Sequence, residues 1–304
     1  MNRWGEKRYH SMDYDLKELY GEKVYKITLN GGMTCPNRDG KVGHGGCIFC
    51  SAAGSGDFAG SATCSITEQL VMGKENLIKK RPVHSYIAYF QAFTNTYASV
   101  EYLRRIYMEA IQDPDVQILS IATRPDCLPE DILQLLEEIN QIKPVWVELG
   151  LQTIHPQTAT YIRRGYPLEV FEEAVNNLRR RNISVITHTI LGLPGENEDM
   201  MLETIDYLNK MDIQGIKLQL LHILKGTDLA LDYEKQPFWS PTMEEYISLL
   251  GKCIARLRPD ITIHRLTGDG PKELLIAPLW TSQKRTVLNT LHRYLKEQDI
   301  WQGK

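Results

Sequence analysis

Residues 35–50 read CPNRDGKVGHGGCIFC and place three of the six cysteines of the chain, Cys35, Cys47 and Cys50, in one short segment. Eleven residues separate the first two cysteines, and two separate the last pair. The last pair is close enough in sequence to bind one face of a metal centre, and the glycines before it allow the segment to fold back and bring Cys35 alongside. Six cysteines in 304 residues are too few for a disulfide framework, so the crowding indicates metal or cluster ligation in a reducing compartment.

This cysteine segment follows the first of six predicted strands. The strands are short runs rich in β-branched and aromatic residues, at residues 24–29, 85–93, 117–122, 146–151, 184–191 and 215–221. Amphipathic patterns between them predict helices near residues 66–80, 99–112, 129–142, 168–181 and 198–210. Alternating strands and helices predict a parallel sheet. Because long loops follow the strands, we expect an α/β fold with a partial (β/α)6 TIM-like barrel, and a flat doubly wound sheet is the alternative.

The pattern changes after residue 235, which indicates a second region. We assign residues 1–235 to the barrel with a short N-terminal lead-in, and residues 236–304 to a C-terminal extension packed on the barrel. The extension contains a predicted helix near residues 242–257, a short apolar run at 261–265 and a basic helix near 282–297. In a barrel, functional groups gather on the loops that leave the carboxyl ends of the strands, and the cysteine segment is such a loop.

The composition is that of an ordinary soluble globular protein, with 42% hydrophobic and 24% charged residues. The net charge of −3 gives no overall electrostatic reason to expect a nucleic-acid partner, which would need a local basic face. The N-terminal residues are polar, and no stretch approaches the roughly 18 apolar residues of a membrane span. We therefore expect a cytoplasmic protein without membrane contact.

Three cysteines on one loop suit an iron–sulfur cluster. Thiolates are the usual ligands of such clusters, and three of them on a [4Fe–4S] cube leave the fourth iron free to bind another molecule. The alternative is a zinc site with His44 or a further cysteine as its fourth ligand. The other cysteines are scattered along the chain and are expected to be core or surface thiols: Cys64, Cys127 and Cys253.

The phrases CPNRDG at residues 35–40 and GGCIFC at residues 45–50 resemble the radical SAM (S-adenosylmethionine) superfamily. Within it the chain is similar to the YhcC/YtqA-type family, relatives of the elongator catalytic subunit and of oxygen-independent coproporphyrinogen oxidase. The likeness extends over roughly residues 20–300. It implies a radical SAM barrel and an enzyme in which Cys35, Cys47 and Cys50 hold a [4Fe–4S] cluster that cleaves SAM reductively to a 5′-deoxyadenosyl radical. It also implies an electron donor such as flavodoxin or ferredoxin.

The same resemblance implies SAM contacts at the ends of predicted strands two to five. The candidates are Gln91, Thr94, Asn95, Thr123, Arg124, Gln152, Arg164, His188 and Gly192. Gly192 belongs to a GLPGE turn like that of the superfamily, and Gln152 with Arg164 resembles a glutamine–arginine pair that contacts SAM. The usual glycine-rich segment is absent after the second strand, and Ala122 stands where relatives often have glutamate. The alternative for each candidate is a structural role at the end of a buried strand or helix.

The relationship to the elongator catalytic subunit implies a tRNA substrate, modified at the side chain of the wobble uridine. One concrete reaction converts carboxymethylaminomethyl to aminomethyl. Basic runs could bind phosphates, although such runs are usually solvated helix faces; they lie at residues 79–81, 179–181, 284–285 and 292–296. A radical SAM enzyme acting on a small molecule, and a zinc-stabilised binding protein without catalysis, are the alternative functions.

Overall fold

The computed structural model describes residues 4–54, 56–79, 83–268 and 270–304. Its strands are β1 (Tyr25–Leu29), β2 (Tyr86–Phe90), β3 (Val116–Thr123), β4 (Val145–Gln152), β5 (Ser184–Leu191), β6 (Gly215–Leu220), β7 (Ile223–Leu224), β8 (Thr262–Arg265) and β9 (Leu275–Ala277). Its helices are α1 (Met12–Tyr20), α2 (Ile66–Ile78), α3 (Val100–Gln112), α4 (Glu130–Asn140), α5 (Pro156–Tyr161), α6 (Leu168–Arg180), α7 (Glu198–Leu208), α8 (Asp228–Lys235), α9 (Met243–Arg256) and α10 (Lys284–Glu297).

Over the described residues, seven strands form one sheet in the order β1–β2–β3–β4–β5–β6–β8. All of its pairings are parallel. The sheet has two edges, β1 and β8, while β7 and β9 form a separate antiparallel pair. The sequence predicts six strands, and the seventh, β8, comes from the apolar run at residues 261–265. The region treated as an extension therefore contributes a strand to the barrel sheet itself.

The sheet is curled rather than flat. The Lys217 ammonium on β6 lies 3.1 Å from the Tyr89 hydroxyl on β2. Four strand spacings separate β2 from β6, which is about 19 Å in a flat sheet and more than two extended side chains can span. The contact requires curvature and excludes the flat doubly wound alternative. The partial TIM-like barrel predicted from the sequence is confirmed.

Glu148 on β4 lies inside the curl, with a side chain that is fully buried. Its carboxylate accepts hydrogen bonds from Lys26 at 2.6 Å and Ser120 at 2.8 Å, bonds His188 at 2.7 Å, and forms an ion pair with Lys217. The four partners come from β1, β3, β5 and β6, so one carboxylate links five strands. We call these five residues the interior cluster.

Burial and charge act against each other in the interior cluster. Burial disfavours ionised Glu148, yet Lys217 and Lys26 hold the pKa of its carboxyl well below the ordinary value. Burial, assisted by the charge of Lys217, lowers the pKa of His188 to about 4, so its ring is neutral at pH 7. Burial also lowers the pKa of the Lys217 ammonium well below its ordinary value, and the charge of Glu148 acts in the opposite direction to keep the ion pair.

The helices cover the outside of the sheet. Leu103 in α3, Leu136 in α4, Phe171 in α6 and Leu250 in α9 are fully buried in one continuous hydrophobic core. Their removal from water stabilises the fold by about 1.5–3 kcal/mol for each large side chain. Over the described part of the chain, no helix is both long and apolar enough to cross a bilayer.

The two ends of the chain meet at the edge strand β8. The backbone N–H of Ile263 donates to the carbonyl of His10 at 2.7 Å. The backbone N–H of His10 in turn donates to the Gln302 side chain at 2.7 Å. The N-terminal lead-in and the C-terminal residues are therefore bound to the same edge of the barrel and cover part of it.

Glu148→Gln removes the carboxylate at the centre of the interior cluster and leaves Lys217 buried without an opposite charge. We expect the free energy of unfolding to fall by about 3–5 kcal/mol, the usual cost of breaking a buried ion pair from one side, measured by urea denaturation. The double variant Glu148→Leu/Lys217→Met removes both charges and should recover most of the loss. A Glu148→Gln protein as stable as the wild type would contradict this account.

Stability should also fall in acid. Since the pKa of His188 is about 4 in the folded protein and 6.5 in the reference state, the unfolded chain binds more protons between these values, and stability decreases as pH drops through this window. The depressed pKa of Glu148 adds to the loss at lower pH. Thermal unfolding of His188→Gln should therefore depend less on pH between 7 and 4.5 than that of the wild type. His44→Gln, at an exposed position outside the cluster, is the control and should follow the wild type; parallel curves for all three proteins would refute the assignment.

Candidate active site

The cysteine segment leaves β1 and folds back on itself. The backbone N–H of Arg38 donates to the Cys35 carbonyl at 2.8 Å, and that of Gly46 donates to the Asn37 carbonyl at 2.8 Å. Gly46 has a φ of +88°, and a Cβ at this position would lie 2.9 Å from the Arg38 side chain. Glycine is therefore required where the segment reverses. The reversal brings Cys35 to the same cavity as Cys47 and Cys50, which we call the central cavity.

The three thiols interact with one another and with nearby polar groups. A hydrogen bond from Cys50 lowers the pKa of Cys47 to about 7, with further help from the charge of Arg124. The same bond, together with burial, raises the pKa of Cys50, and the neighbouring Cys35 adds to this effect. Asn37 donates to the Cys47 sulfur at 3.5 Å. The site thus already favours a thiolate at Cys47, the form in which cysteine binds metals.

A zinc ion is not favoured by this arrangement. Among the described residues, no three side chains of His, Cys, Asp or Glu converge closely enough to hold a single metal ion. His44, the candidate fourth ligand, is exposed and does not border the central cavity. Three thiols around a cavity suit a larger group, such as a cluster that contributes its own sulfur atoms and spans the space between them.

Seven of the nine predicted SAM contacts border the same cavity as the cysteines. They come from the carboxyl ends of β2 to β5 and the loops that follow: Gln91, Thr94, Thr123, Arg124, Gln152, Arg164 and His188. The curl of the sheet brings these strand ends to one place, as expected for a barrel. Residues as far apart in sequence as Cys35 and His188 thus border the same central cavity.

The other two candidates, Asn95 and Gly192, lie outside the central cavity. The buried Asn95 side chain donates to the Ala122 carbonyl at 2.8 Å, which ties the end of β2 to β3. The Gly192 amide lies 3.1 Å from the Met201 sulfur, and a Cβ on Gly192 would lie 3.3 Å from Leu220. In this structure both residues support the strand ends rather than face the cavity.

Arg164 is almost completely buried, with 2% of its surface exposed. Its Nη1 donates to the carbonyls of Leu151 and Thr153 at 3.0 and 2.6 Å, and its Nε donates to the Tyr166 carbonyl at 3.1 Å. Its Nη2 makes no hydrogen bond to a described residue. Arg164 therefore fixes the loop after β4 and retains one guanidinium nitrogen for a ligand.

Arg124 has a similar double role. Its Nε and Nη2 donate to Asp126 at 2.9 and 2.7 Å, and its Nη1 donates to the Arg164 carbonyl at 2.9 Å. Burial disfavours the charge, but Asp126 more than compensates and raises the pKa of the guanidinium. Both arginines lie on the Tyr166 ring, with guanidinium carbons 4.9 and 4.8 Å from its centre. The cavity wall beside the cysteines is thus cationic.

The backbone is irregular where β4 enters the site. The pairing with β5 shifts between Gly150 and Gln152, and Gln152 adopts a φ of +63°. The Tyr166 hydroxyl donates to the Gly150 carbonyl at 2.5 Å. A Cβ on Gly150 would lie 2.6 Å from the Gln152 amide nitrogen, so a larger residue here would displace the Gln152 side chain. Bulges of this kind redirect side chains beside active sites, and here Gln152 borders the central cavity.

Three polar residues border the cavity that were not predicted from the sequence. They are Glu148 and Lys217 inside the barrel, and Tyr166. A signal was available, because Glu148 and Lys217 are charged residues within strongly apolar strands. A buried charge needs a partner, but the sequence alone does not show that these two are partners.

Comparisons with known proteins agree with this geometry. A family model described as the radical SAM superfamily matches residues 35–208, and a radical SAM C-terminal domain model matches residues 213–297. The protein YtqA of Bacillus subtilis is 48% identical over 299 residues, covering 98% of this chain and 93% of YtqA.

Two more distant proteins are similar over part or most of the chain. The structure of archaeal Elp3 from Methanocaldococcus infernus aligns with a TM-score of 0.70 at 17% identity, covering 92% of this chain and 64% of that one. This likeness shows the shared fold. The tRNA uridine(34) acetyltransferase of Methanocaldococcus jannaschii is 23% identical over 190 residues, covering 60% of this chain and 33% of that protein.

The cofactors expected from the sequence are confirmed, because radical SAM proteins bind a [4Fe–4S] cluster and SAM. Membership of this superfamily also supports an enzymatic function. From its family match and its identity to YtqA, the chain belongs to the radical SAM superfamily and, within it, to the family of YtqA and YhcC.

Proposed function

We propose that Cys35, Cys47 and Cys50 hold the [4Fe–4S] cluster and that SAM binds beside it in the central cavity. One observation carries this proposal: the three thiols and seven predicted SAM contacts border a single cavity. When bound, the cluster supplies an electron and SAM supplies a 5′-deoxyadenosyl radical that removes hydrogen from a substrate. The protein supplies orientation, charge and exclusion of water.

The chain's own residues suit these tasks. The free Nη2 of Arg164 is a donor for the carboxylate of SAM, and the side chains of Gln152 and Thr123 are hydrogen-bonding groups for its sugar. Arg38 and Arg124 place positive charge beside the cysteines and help to lower the pKa of Cys47. Positive charge of this kind stabilises a site that gathers three thiolates.

The cavity also suits the containment of a reactive radical. Phe49, Phe93 and the buried Tyr89 border it. The interior cluster is satisfied internally, since Lys26 and Lys217 are both bonded to Glu148. These charged groups of the barrel interior are therefore held in place rather than free to reach the reacting atoms.

We further propose that the substrate is the wobble uridine of a tRNA, whose carboxymethylaminomethyl group is converted to aminomethyl. The partial similarity to a protein named tRNA uridine(34) acetyltransferase supports this substrate class. Atoms and electrons balance if the carboxymethyl group leaves as glyoxylate. The substrate then loses two electrons, which reduce SAM to methionine and 5′-deoxyadenosine, water supplies the aldehyde oxygen, and one proton is released.

Cys47→Ala tests the cluster assignment. After anaerobic reconstitution, we expect the wild type to absorb near 400 nm and to form 5′-deoxyadenosine from SAM under reduction. The Cys47→Ala variant should lose both properties, because two thiolates hold the cube poorly. Cys64→Ala is the matched control and should keep both, since Cys64 does not border the cavity. Undiminished SAM cleavage by Cys47→Ala would show that the cluster is bound elsewhere.

Modified nucleosides of total tRNA test the substrate. In a deletion strain, carboxymethylaminomethyluridine should accumulate and aminomethyluridine should be lost, as measured by liquid chromatography with mass spectrometry. A plasmid with the wild-type sequence should restore the parental profile, and one with Cys47→Ala should not. An unchanged profile in the deletion strain would remove the tRNA proposal and favour a small-molecule substrate.

A further inference from the structure

A second space lies beside the central cavity, at the gap between the two edge strands of the barrel. This space, which we call the lateral cleft, has a volume of about 580 Å³. It is bordered by Lys26 and Thr28 of β1 on one side and by Arg265 of β8 on the other. Gln91, Tyr89 and Arg265 border both spaces. The two spaces are therefore adjacent and share part of their lining.

The lateral cleft is basic although the chain as a whole carries a charge of −3. Among its described lining residues, four are basic and one, Glu273, is acidic; the basic ones are Arg265, Lys272, Lys284 and Lys26, the last of which is paired with Glu148. Lys272 and Lys284 are exposed at its outer rim. These two lysines place positive charge at the rim of the cleft, which suits an anionic partner.

The rim also presents an exposed aromatic ring. Phe58 has 56% of its surface exposed and borders the lateral cleft. Its backbone is fixed to β1, because its carbonyl accepts a hydrogen bond from Thr28 at 2.6 Å and the nearby Gly60 N–H donates to the Thr28 carbonyl at 3.2 Å. An exposed ring on an anchored backbone, beside lysines, is a suitable surface on which a nucleic-acid base can stack.

Two arginines of the basic run at residues 179–181 are engaged in ion pairs. Arg179 forms an ion pair with Asp212, and Arg181 forms ion pairs with Glu130 and Glu137. These pairs connect neighbouring helices and loops on the outside of the barrel. Lys80 and Arg81 of the run at residues 79–81 lie outside the described residues. Of the basic runs in the sequence, the one that begins at Lys284 reaches the lateral cleft.

We propose that the lateral cleft binds single-stranded RNA of the anticodon loop, an inference that rests on the tRNA substrate proposed above. A base next to the target uridine stacks on Phe58, and the phosphates lie against Lys272 and Lys284. The target uridine itself passes Gln91 and Arg265 into the central cavity. The cleft thus selects single-stranded RNA rather than a duplex. In a duplex, the paired bases could not separate to place one base on the Phe58 ring and the next in the central cavity.

The test measures binding of a fluorescent anticodon stem–loop, with uridine at the wobble position, to the full-length protein. We expect Phe58→Ala to weaken binding by about 5- to 150-fold, the equivalent of one lost base stack. Lys272→Gln/Lys284→Gln should reduce the slope of log affinity against log salt by about 1.4, corresponding to two lost phosphate contacts. Both variants should still form 5′-deoxyadenosine from SAM alone at the wild-type rate.

Two control variants lie at the opposite end of the barrel, one for the loss of an apolar side chain and one for the loss of lysine charge. Ile142→Ala removes an exposed apolar side chain before β4, and Lys210→Gln removes an exposed lysine before β6. Neither should alter RNA affinity. As a readout that needs no variant, 4-thiouridine next to the wobble position should crosslink to the segment that contains Phe58.

Cleft variants that bind the stem–loop as tightly as the wild type, or crosslinks that map elsewhere on the barrel, would overturn the lateral cleft as the RNA site. The proposed function would stand in that case, since the tRNA nucleoside profile tests it separately. A wild-type protein with no affinity for the stem–loop, together with an unchanged nucleoside profile, would overturn both.

Discussion

The curl of the parallel sheet is the constraint on which the rest of the structure depends. A flat sheet would spread the carboxyl ends of β1 to β5 over a long edge, and the cysteines would be far from the residues after β4 and β5. The interior cluster depends on this curvature, because Glu148 on β4 accepts hydrogen bonds from strands on both sides of β4. Its charges are costly to bury, and they are stable here because each has a partner that the curl brings within reach. The same polar contacts that hold the half-barrel therefore also form the inner wall of the central cavity.

The two arginines that border the central cavity have both a structural role and a proposed role in ligand binding. Arg164 and Arg124 use most of their donors to fix the loops after β3 and β4, and both lie on the Tyr166 ring. Because hydrogen bonds hold both side chains in place, their positive charge stays beside the cysteine segment. Rigid donors of this kind suit a reaction in which the cofactor carries the chemistry and the protein controls geometry. In the proposal made above, the lateral cleft adds RNA binding at the edge of the barrel, beside these groups.

Much of this arrangement was predictable from the sequence. Strand and helix alternation gave the barrel, and the cysteine spacing with its glycines gave the segment that reaches the cavity. Strand β8 was missed as a barrel strand because a four-residue run carries too little periodicity to show its pairing partner. Asn95 and Gly192 lie near strand ends as the other candidates do, but sequence position does not tell which way a residue faces once the strand has ended. The interior cluster depends on contacts across five strands, and only the curvature of the folded sheet determines those contacts.

Electron paramagnetic resonance of the reduced, anaerobically reconstituted protein tests the central claim most directly. If Cys35, Cys47 and Cys50 leave one iron of the cube open in the central cavity, the reduced protein should show a [4Fe–4S]+ signal. The g values of that signal should change when SAM is added, and nitrogen-15 in the amino group of SAM should give a resolved hyperfine coupling. A cluster signal that saturating SAM leaves unaltered, with no coupling to the labelled nitrogen, would contradict the account.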